Sequence, residues 1–504
     1  MSCAVYIDIA AKQNYIFSSN KLKDIVGASE IIRQVTNKDL EKTFVKKYPK
    51  FKEPDGNFGG GNALLFFDDE VSAKDFIRIY SKHLLEAFPS LTPYFLLDAK
   101  FDKNNYQESI NKTHEKLEKL KNSYFPLTQP LNLGIESLCP NSDFPAIVKD
   151  NSKSGKSKFY SKSTMAKRNM SEKANANFNE LFNDVLINKF NDKFCFSLEI
   201  DKIIHDENSY AAIVHIDANE LGSRVKQLKS FNVAKEFSQV VDTNMKKAME
   251  ETIKILASKF KNGKFDGEFF DGANLELKTD DDKFILPFRP VVLSGDDLTF
   301  ISEGRLGVFI ARTFINELKK LPLNFVSSDD KKLKQPLFAS GGIAIVKAKT
   351  PFFKGYTFAE ELTTSAKKLL KESTNKDEKT SIDFFILSSG ILGEFDDVRK
   401  RYFTKDSKEL YNGGYSEADF ARLVKLMQEL KDISKNKIMK LRDLAFESEE
   451  SVKKYLEVYC DNKLIKDNKL EFEFKMLVEA IELMKFYPIF DGEFYKGEQS
   501  CKNN

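Results

Sequence analysis

Tryptophan is absent from this 504-residue chain, and 45 phenylalanines and 17 tyrosines supply its aromatic bulk. That is a matter of composition and excludes no chemistry except an indole-based site. Cysteine is scarce. The five residues (Cys3, Cys139, Cys195, Cys460, Cys501) lie far apart, and no C-x-x-C pair exists. Zinc ribbons and thioredoxin-type redox centres are thereby excluded. An odd, scattered set fits a reducing compartment. No apolar run approaches the roughly 20 residues of a membrane span. The opening MSCAVYIDIAAKQNYIF has no basic segment followed by a long apolar one, so no secretory signal is expected. The cytoplasm is the expected location, with no membrane partner. Net charge is nearly lacking too. Lys+Arg number 79 against 76 Asp+Glu, a formal charge of +3, which gives no global argument for nucleic-acid binding.

What is present is apolar patterning enough for about two to four domains. CAVYIDI (3–9) reads as a buried strand, and Leu22, Ile25, Val26 and Ile32 have helical spacing. A glycine-rich turn, NFGGGNALLFF, opens a further strand. A helix, a strand (TPYFLLDAKF) and a charged helix through Leu120 follow. This order predicts an α+β unit with helices on one side of a sheet. From residue 211 the order returns. AAIVHIDANELG is a strand with a polar end. An amphipathic helix follows, with Phe237, Val241, Met245, Ala248, Ile255 and Leu256 on one face and Thr252 interrupting it. The hairpin FRPVVLSGDDLTFI, a helix, a strand, a helix and a closing strand complete it. One unit type used twice is expected, matched by element order and not by identity. Beyond about residue 390 the pattern becomes helical. Between the units, residues 149–168 (KDNSKSGKSKFYSKSTMAKR) are rich in Ser and Lys. They read as a solvated linker or as a basic flap that meets phosphates.

The chemistry concentrates at SGDD. Asp296 and Asp297 follow Gly295 at a turn between two apolar strands. Glycine permits backbone geometry that other residues avoid. A tight turn lets both acids reach one site, although neighbours within a strand face opposite ways. Two adjacent carboxylates raise each other's pKa unless a cation sits between them. A hard divalent ion suits them. Asp217 ends the strand AIVHID, and Asn219 follows on the same side. If the two strands are neighbours, three carboxylates meet, as in sites that hold two metal ions for phosphoryl transfer. A lone GDD is read equally well as a polar turn. The Asp217 strand separates the two readings. His83, His114 and His215 have no ligand-spaced partners. His215 shares the face of Asp217 but reads as a packed histidine. His205-Asp206 stands alone in an expected loop.

These residues carry a resemblance. Residues 211–387 resemble the second palm domain of the Cas-ten family, the polymerase/cyclase large subunit of type III CRISPR complexes, and more distantly GGDEF cyclases. HIDANELG is similar to the family's D-x-D-N-L-G strand, SGDD to GGDD, and TSAKK to its A-K motif. YIDIAAKQNYIF, NKLKDIVGASEII and GGGNALLF resemble the degenerate first palm. The resemblance implies two ferredoxin-like palm domains in tandem plus an all-helical C-terminal domain. The boundaries would be a first palm at 1–135, a linker or helical insert at 136–209, a second palm at 210–390 and helices at 391–504.

By the same resemblance, Asp217, Asp296 and Asp297 would bind Mg²⁺ or Mn²⁺ and carry catalysis. Two nucleoside triphosphates, ATP foremost, would become a cyclic (oligo)nucleotide with loss of pyrophosphate, in antiviral defence. Ser294, Gly295, Lys367, Ser29, Gly60, Gly61 and Asn62 would contact nucleotide. RNA or a protein would be the activator. Ser294 and Asn219 depart from the family's Gly and Asp. The HD nuclease domain and the inter-palm zinc cysteines are missing, so the chain resembles stand-alone palm proteins. Two other readings remain open: a nucleotide sensor without turnover, and an RNA-binding subunit of a type III-like complex. The sequence does not fix an oligomeric state.

Overall fold

A computed structural model describes residues 2–37, 56–123, 134–142, 144–150, 158–204, 209–228, 230–270, 272–326, 332–373, 375, 378–387, 393–405, 408–431, 433–459 and 470–488. The core of the basic segment (151–157), His205-Asp206, Cys460, Cys501 and the chain's last residues lie outside these.

The first unit begins with β1 (Ser2–Ile9) and a short helix α1 (Lys12–Ile16), followed by α2 (Leu22–Val35). The hairpin β2 (Gly56–Gly59) and β3 (Asn62–Phe67) comes next, then α3 (Glu70–Ala87), β4 (Pro93–Phe101) and α4 (Tyr106–Ser123). The strand order is β2-β3-β1-β4, with β1 antiparallel to both neighbours. An insert helix, α5 (Lys162–Leu181), leads on towards the second unit.

That unit contains β5 (Tyr210–Ala218), α6 (Phe231–Ser258), the hairpin β6 (Phe288–Ser294) and β7 (Asp297–Glu303), and α7 (Gly307–Leu318). β8 (Ala339–Lys347), α8 (Phe352–Glu372) and β9 (Ser381–Ile386) complete it. The helix α9 (Phe395–Phe403) precedes a two-residue strand, β10 (Tyr415–Ser416). The strand order is β6-β7-β5-β8-β9-β10. The chain is thus a mixed α/β protein in which one connectivity and one strand order occur twice.

Helices cover both faces of the second sheet, not the single face that the sequence suggests. Gly341 and Gly342 are neighbours on β8. A Cβ on Gly341 would meet Ile315 of α7, whereas one on Gly342 would meet the backbone of Ala359 and Thr363 in α8. β1 and β5 are accordingly buried along nearly their whole length, the pattern of strands enclosed on two sides. Thr252 does not break the buried face of α6. It is 1% exposed, and its hydroxyl donates to the Ala248 carbonyl at 2.6 Å.

The basic segment also differs from its reading as a linker. From Lys162 onward it is α5, capped by Ser161, which accepts from the Thr164 amide. α5 crosses α2 so closely that a Cβ on Gly27 would fall 1.7 Å from the Lys167 carbonyl oxygen. Lys167 is buried and donates to the Tyr15 carbonyl and the Ser18 hydroxyl, each at 2.8 Å. Burial lowers this ammonium to about 8. A lysine-rich run looks solvated in sequence because nothing local reveals carbonyls that lie more than a hundred residues away.

The C-terminal region contains α10 (Glu417–Leu430), α11 (Lys435–Ala445), α12 (Glu449–Tyr459) and α13 (Leu470–Leu483). It is not purely helical, because β10 extends the sheet. A buried polar network fastens it there. Arg399 of α9 grips Asp383 of β9 through two bonds of 2.6 and 2.8 Å, and reaches Glu479 of α13 at 3.5 Å. Glu479 also accepts from the Tyr415 hydroxyl and from the Asn412 amide. Among the described residues, no helix is long and apolar enough to cross a membrane.

Candidate functional site

The β6–β7 hairpin closes through a two-residue loop. Ser294 pairs with Asp297, leaving Gly295 and Asp296 at the tip. Gly295 has φ +64°, a value glycine adopts without strain, and fills the first loop position as glycine does in tight hairpins. The tip carries Asp296, and β7 starts at Asp297. Asp297 lies directly opposite Asp217 on β5. One carboxylate oxygen from each of Asp217, Asp296 and Asp297 lies within 4.8 Å of the others. A stiff sheet holds two of the carboxylates in register, and the turn supplies the third.

The same positions in the first unit are filled differently. Its hairpin closes through Gly60 and Gly61, with φ +58° and +77°. Asn62 stands opposite Asp8, as Asp297 stands opposite Asp217. Each strand acid meets a lysine from the helix that follows the neighbouring strand, β4 or β8: Lys121 with Asp8 at 3.0 Å, and Lys367 with Asp217. The first unit therefore keeps one carboxylate where the second has three. Lys12 supplies a fixed cation there. Its ammonium donates to the Gly60 carbonyl at 2.7 Å and the Asn62 side-chain oxygen at 2.9 Å, and lies 3.5 Å from Asp8.

The two turns lie against each other. A Cβ on Gly295 would stand 3.6 Å from the backbone of Gly60. Around the α1–α8 contact, Gln13 donates to the Tyr356 hydroxyl and to Glu360, each at 2.9 Å, and the Phe17 ring lies tilted against Tyr356 with centroids 4.0 Å apart. A cavity of about 630 Å³ opens between the units, and Lys12, Gly60, Ser294, Asp297, His215 and Tyr356 are among its walls. A larger groove of about 1560 Å³ runs past the turns along α6 and is lined by Asp296 and Asp297.

Asp217 is paired with Lys367, but the charges of Asp296 and Asp297 are not balanced in this way. Burial, and then the neighbouring Asp296, push Asp297 up to about 7, against the pull of Lys12. Burial raises Asp296 as well. His215, on the same face, is held down to about 4, mainly by burial and also by Lys367, so its ring is uncharged at neutral pH. Three close carboxylates, carrying more negative charge than Lys367 alone balances, form a donor set that fits a hard divalent cation.

Of the nucleotide contacts expected from sequence, Ser29, Gly60, Gly61 and Ser294 line the smaller cavity, and Gly295 lines the larger groove. Asn62 also lines the groove, but Lys12 already holds its side-chain oxygen. Lys367 sits at the acids, paired with Asp217. Asn219 does not join them. β5 ends at Ala218, so its alternation stops, and Asn219 donates instead to Ser340 and the Lys379 carbonyl. Lys12 escaped the sequence reading. It follows Ala11 with φ +46°, on a helix of five residues that offers no periodic signal. Gln13 and Tyr356 join units far apart in sequence and left none either.

No family model matches the chain, and no curated protein matches it by sequence. Solved structures do resemble it. A Csm1–Csm4 cassette in complex with pppApApA is 12% identical, with a TM-score of 0.55 over 96% of this chain and 69% of that one. The cassette in complex with cA4 is 11% identical, with a TM-score of 0.53 over 96% and 70%. Csm1 in T. onnurineus is 12% identical, with a TM-score of 0.52 over 96% and 69%. The chain has the fold of Csm1, the Cas-ten protein of type III CRISPR-Csm complexes.

Proposed function

We propose that this protein is a metal-dependent nucleotidyltransferase that joins and cyclises ATP or a related nucleoside triphosphate, releasing pyrophosphate, as a signal in type III CRISPR-like antiviral defence. The two repeated units are its palm domains, the first degenerate and the second active. The observation that carries this reading is the meeting of Asp217, Asp296 and Asp297 within 4.8 Å, where Asp297 lines a cavity shared with the first unit's glycine turn. Likeness to a fold crystallised with pppApApA and cA4 supports it.

The three aspartates would hold Mg²⁺ or Mn²⁺. When bound, such ions stabilise the attacking and leaving oxygens of an in-line displacement. The remaining tasks belong to the chain. The Gly60–Gly61 turn has no side chains to block a phosphate from its backbone amides. Lys12 braces that turn through the Gly60 carbonyl. Lys367 supplies positive charge beside Asp217. A 3′-hydroxyl oxygen bonds to the α-phosphorus, the bond from that phosphorus to the β-phosphate bridge breaks, pyrophosphate leaves, and the hydroxyl proton passes to water. RNA or a protein would serve as activator.

The test is incubation of purified protein with each labelled nucleoside triphosphate and Mg²⁺ or Mn²⁺, with products read by mass spectrometry. A cyclic product is expected, and the double variant Asp296→Ala, Asp297→Ala should form none while remaining folded. Undiminished product from that variant would overturn the assignment.

A further inference from the structure

One pair of side chains on the cavity wall has no part in the scheme above. Thr299 stands opposite His215 on the same two strands that bring Asp297 opposite Asp217. Two residues along a strand return to the same face about 7 Å away. His215 and Thr299 therefore form a second rung beneath the acids, and both line the 630 Å³ cavity. Nδ1 of His215 lies 3.3 Å from the Thr299 hydroxyl. Its carbonyl accepts from Thr363, and its ring meets Tyr356 edge-on at 5.6 Å. The ring is thus held by Thr299 and Tyr356, and its backbone by Thr363. Its other nitrogen has no hydrogen-bond partner among the described residues, and it is not among the buried atoms left unsatisfied. That nitrogen is open to the cavity.

We propose that His215, oriented by Thr299, reads the ribose of the nucleotide in this cavity. Its free ring nitrogen would exchange a hydrogen bond with the 2′-hydroxyl and favour ribonucleotides over 2′-deoxyribonucleotides. The proposal rests on the nucleotidyltransferase reading and deepens it. A nucleotide whose phosphate or 3′-oxygen lies at the aspartates carries its sugar next to them, one ring-width away. The His215 rung stands at that depth. The hydroxyl of Thr299 fixes which ring nitrogen faces the ligand. Packing alone would be served as well by leucine, and that difference can be measured.

The experiment compares dissociation constants of α,β-methylene-ATP and its 2′-deoxy counterpart in Mg²⁺. The wild-type protein, His215→Leu, His215→Asn and Thr299→Val are titrated by calorimetry, so no turnover is needed. Wild type should favour the ribonucleotide by roughly tenfold, the value of one neutral hydrogen bond of about 1.4 kcal/mol. His215→Leu should bind both analogues with the affinity wild type has for the deoxy form. His215→Asn should restore part of the preference, and Thr299→Val should lower it without abolishing binding. Equal binding of both analogues by wild type, or an unchanged ratio in His215→Leu, would refute the ribose-reading role and leave the nucleotidyltransferase reading standing. If His215→Leu does not fold, the Thr299→Val ratio decides, and a ratio equal to wild type counts against the proposal. Failure of wild type to bind either analogue would overturn both readings.

Discussion

Replacing Asp297 by asparagine should make the metal-free protein more stable while abolishing its activity. The change removes a charge and almost no volume, and no described residue donates a hydrogen bond to the Asp297 carboxylate. At about 1.36 kcal/mol per tenfold change, the rise of Asp297 from 3.8 to about 7 sets a ceiling near 4 kcal/mol on the cost of ionising it in the fold. Water still reaches part of this cluster, so about 2 kcal/mol is the working figure. The sign follows from linkage. The acid's pKa is raised on folding, so its contribution to stability is intact below 3.8 and is lost as pH rises through about 7. The advantage of Asp297→Asn over wild type should therefore be small at pH 4.5, grow to pH 8 and then level off. Urea denaturation in EDTA across that range measures it. Mg²⁺ should close the gap by stabilising wild type alone, since binding to the folded state adds stability by mass action. A gap that does not change with pH, or a variant less stable than wild type at pH 8, would refute the reasoning.

Other outcomes follow from the same geometry. Arg399→Met leaves Asp383 and Glu479 buried without their cation and should cost about 3–5 kcal/mol in urea denaturation. Lys12→Met frees the Gly60 carbonyl and the Asn62 side chain, which should cost about 1–3 kcal/mol, and should raise Asp297 above its present value in a carbon-detected NMR titration. Gly295→Val forces a branched side chain to φ +64° and should lower product formation more than it lowers stability, because the tip aims Asp296. Comparing initial rates with urea midpoints checks that order.

The element order was legible because each strand is a compact apolar run and each long helix has an apolar face. SGDD was legible because glycine followed by paired acids between two such runs has few structural uses. The pairing of Asp297 with Asp217 needed only the assumption that the two strands are neighbours. What escaped was what depends on distant partners. Lys167 looks solvated until α5 is laid across α2. Asn62 looks open to a ligand until Lys12 is placed beside it. Asn219 follows strand alternation in sequence, but the strand ends one residue before it. His215 was noted for its two-residue spacing from Asp217. Spacing alone could not show a ring nitrogen left open to a cavity.

Lys12 has a consequence for descent. In the first unit a covalently attached ammonium sits among Asp8, Asn62 and the Gly60 carbonyl, a place that in the second unit is surrounded by acids. A mutation that restored aspartate at Asn62 would gain a salt bridge to Lys12 and no vacancy for an ion. A mutation that removed Lys12 first would strand Asp8 with Lys121 and loosen the turn. Neither change alone would give the first unit the donor set of the second. The place that three acids leave open for an ion in the second unit is thus filled in the first by a side chain of the protein itself.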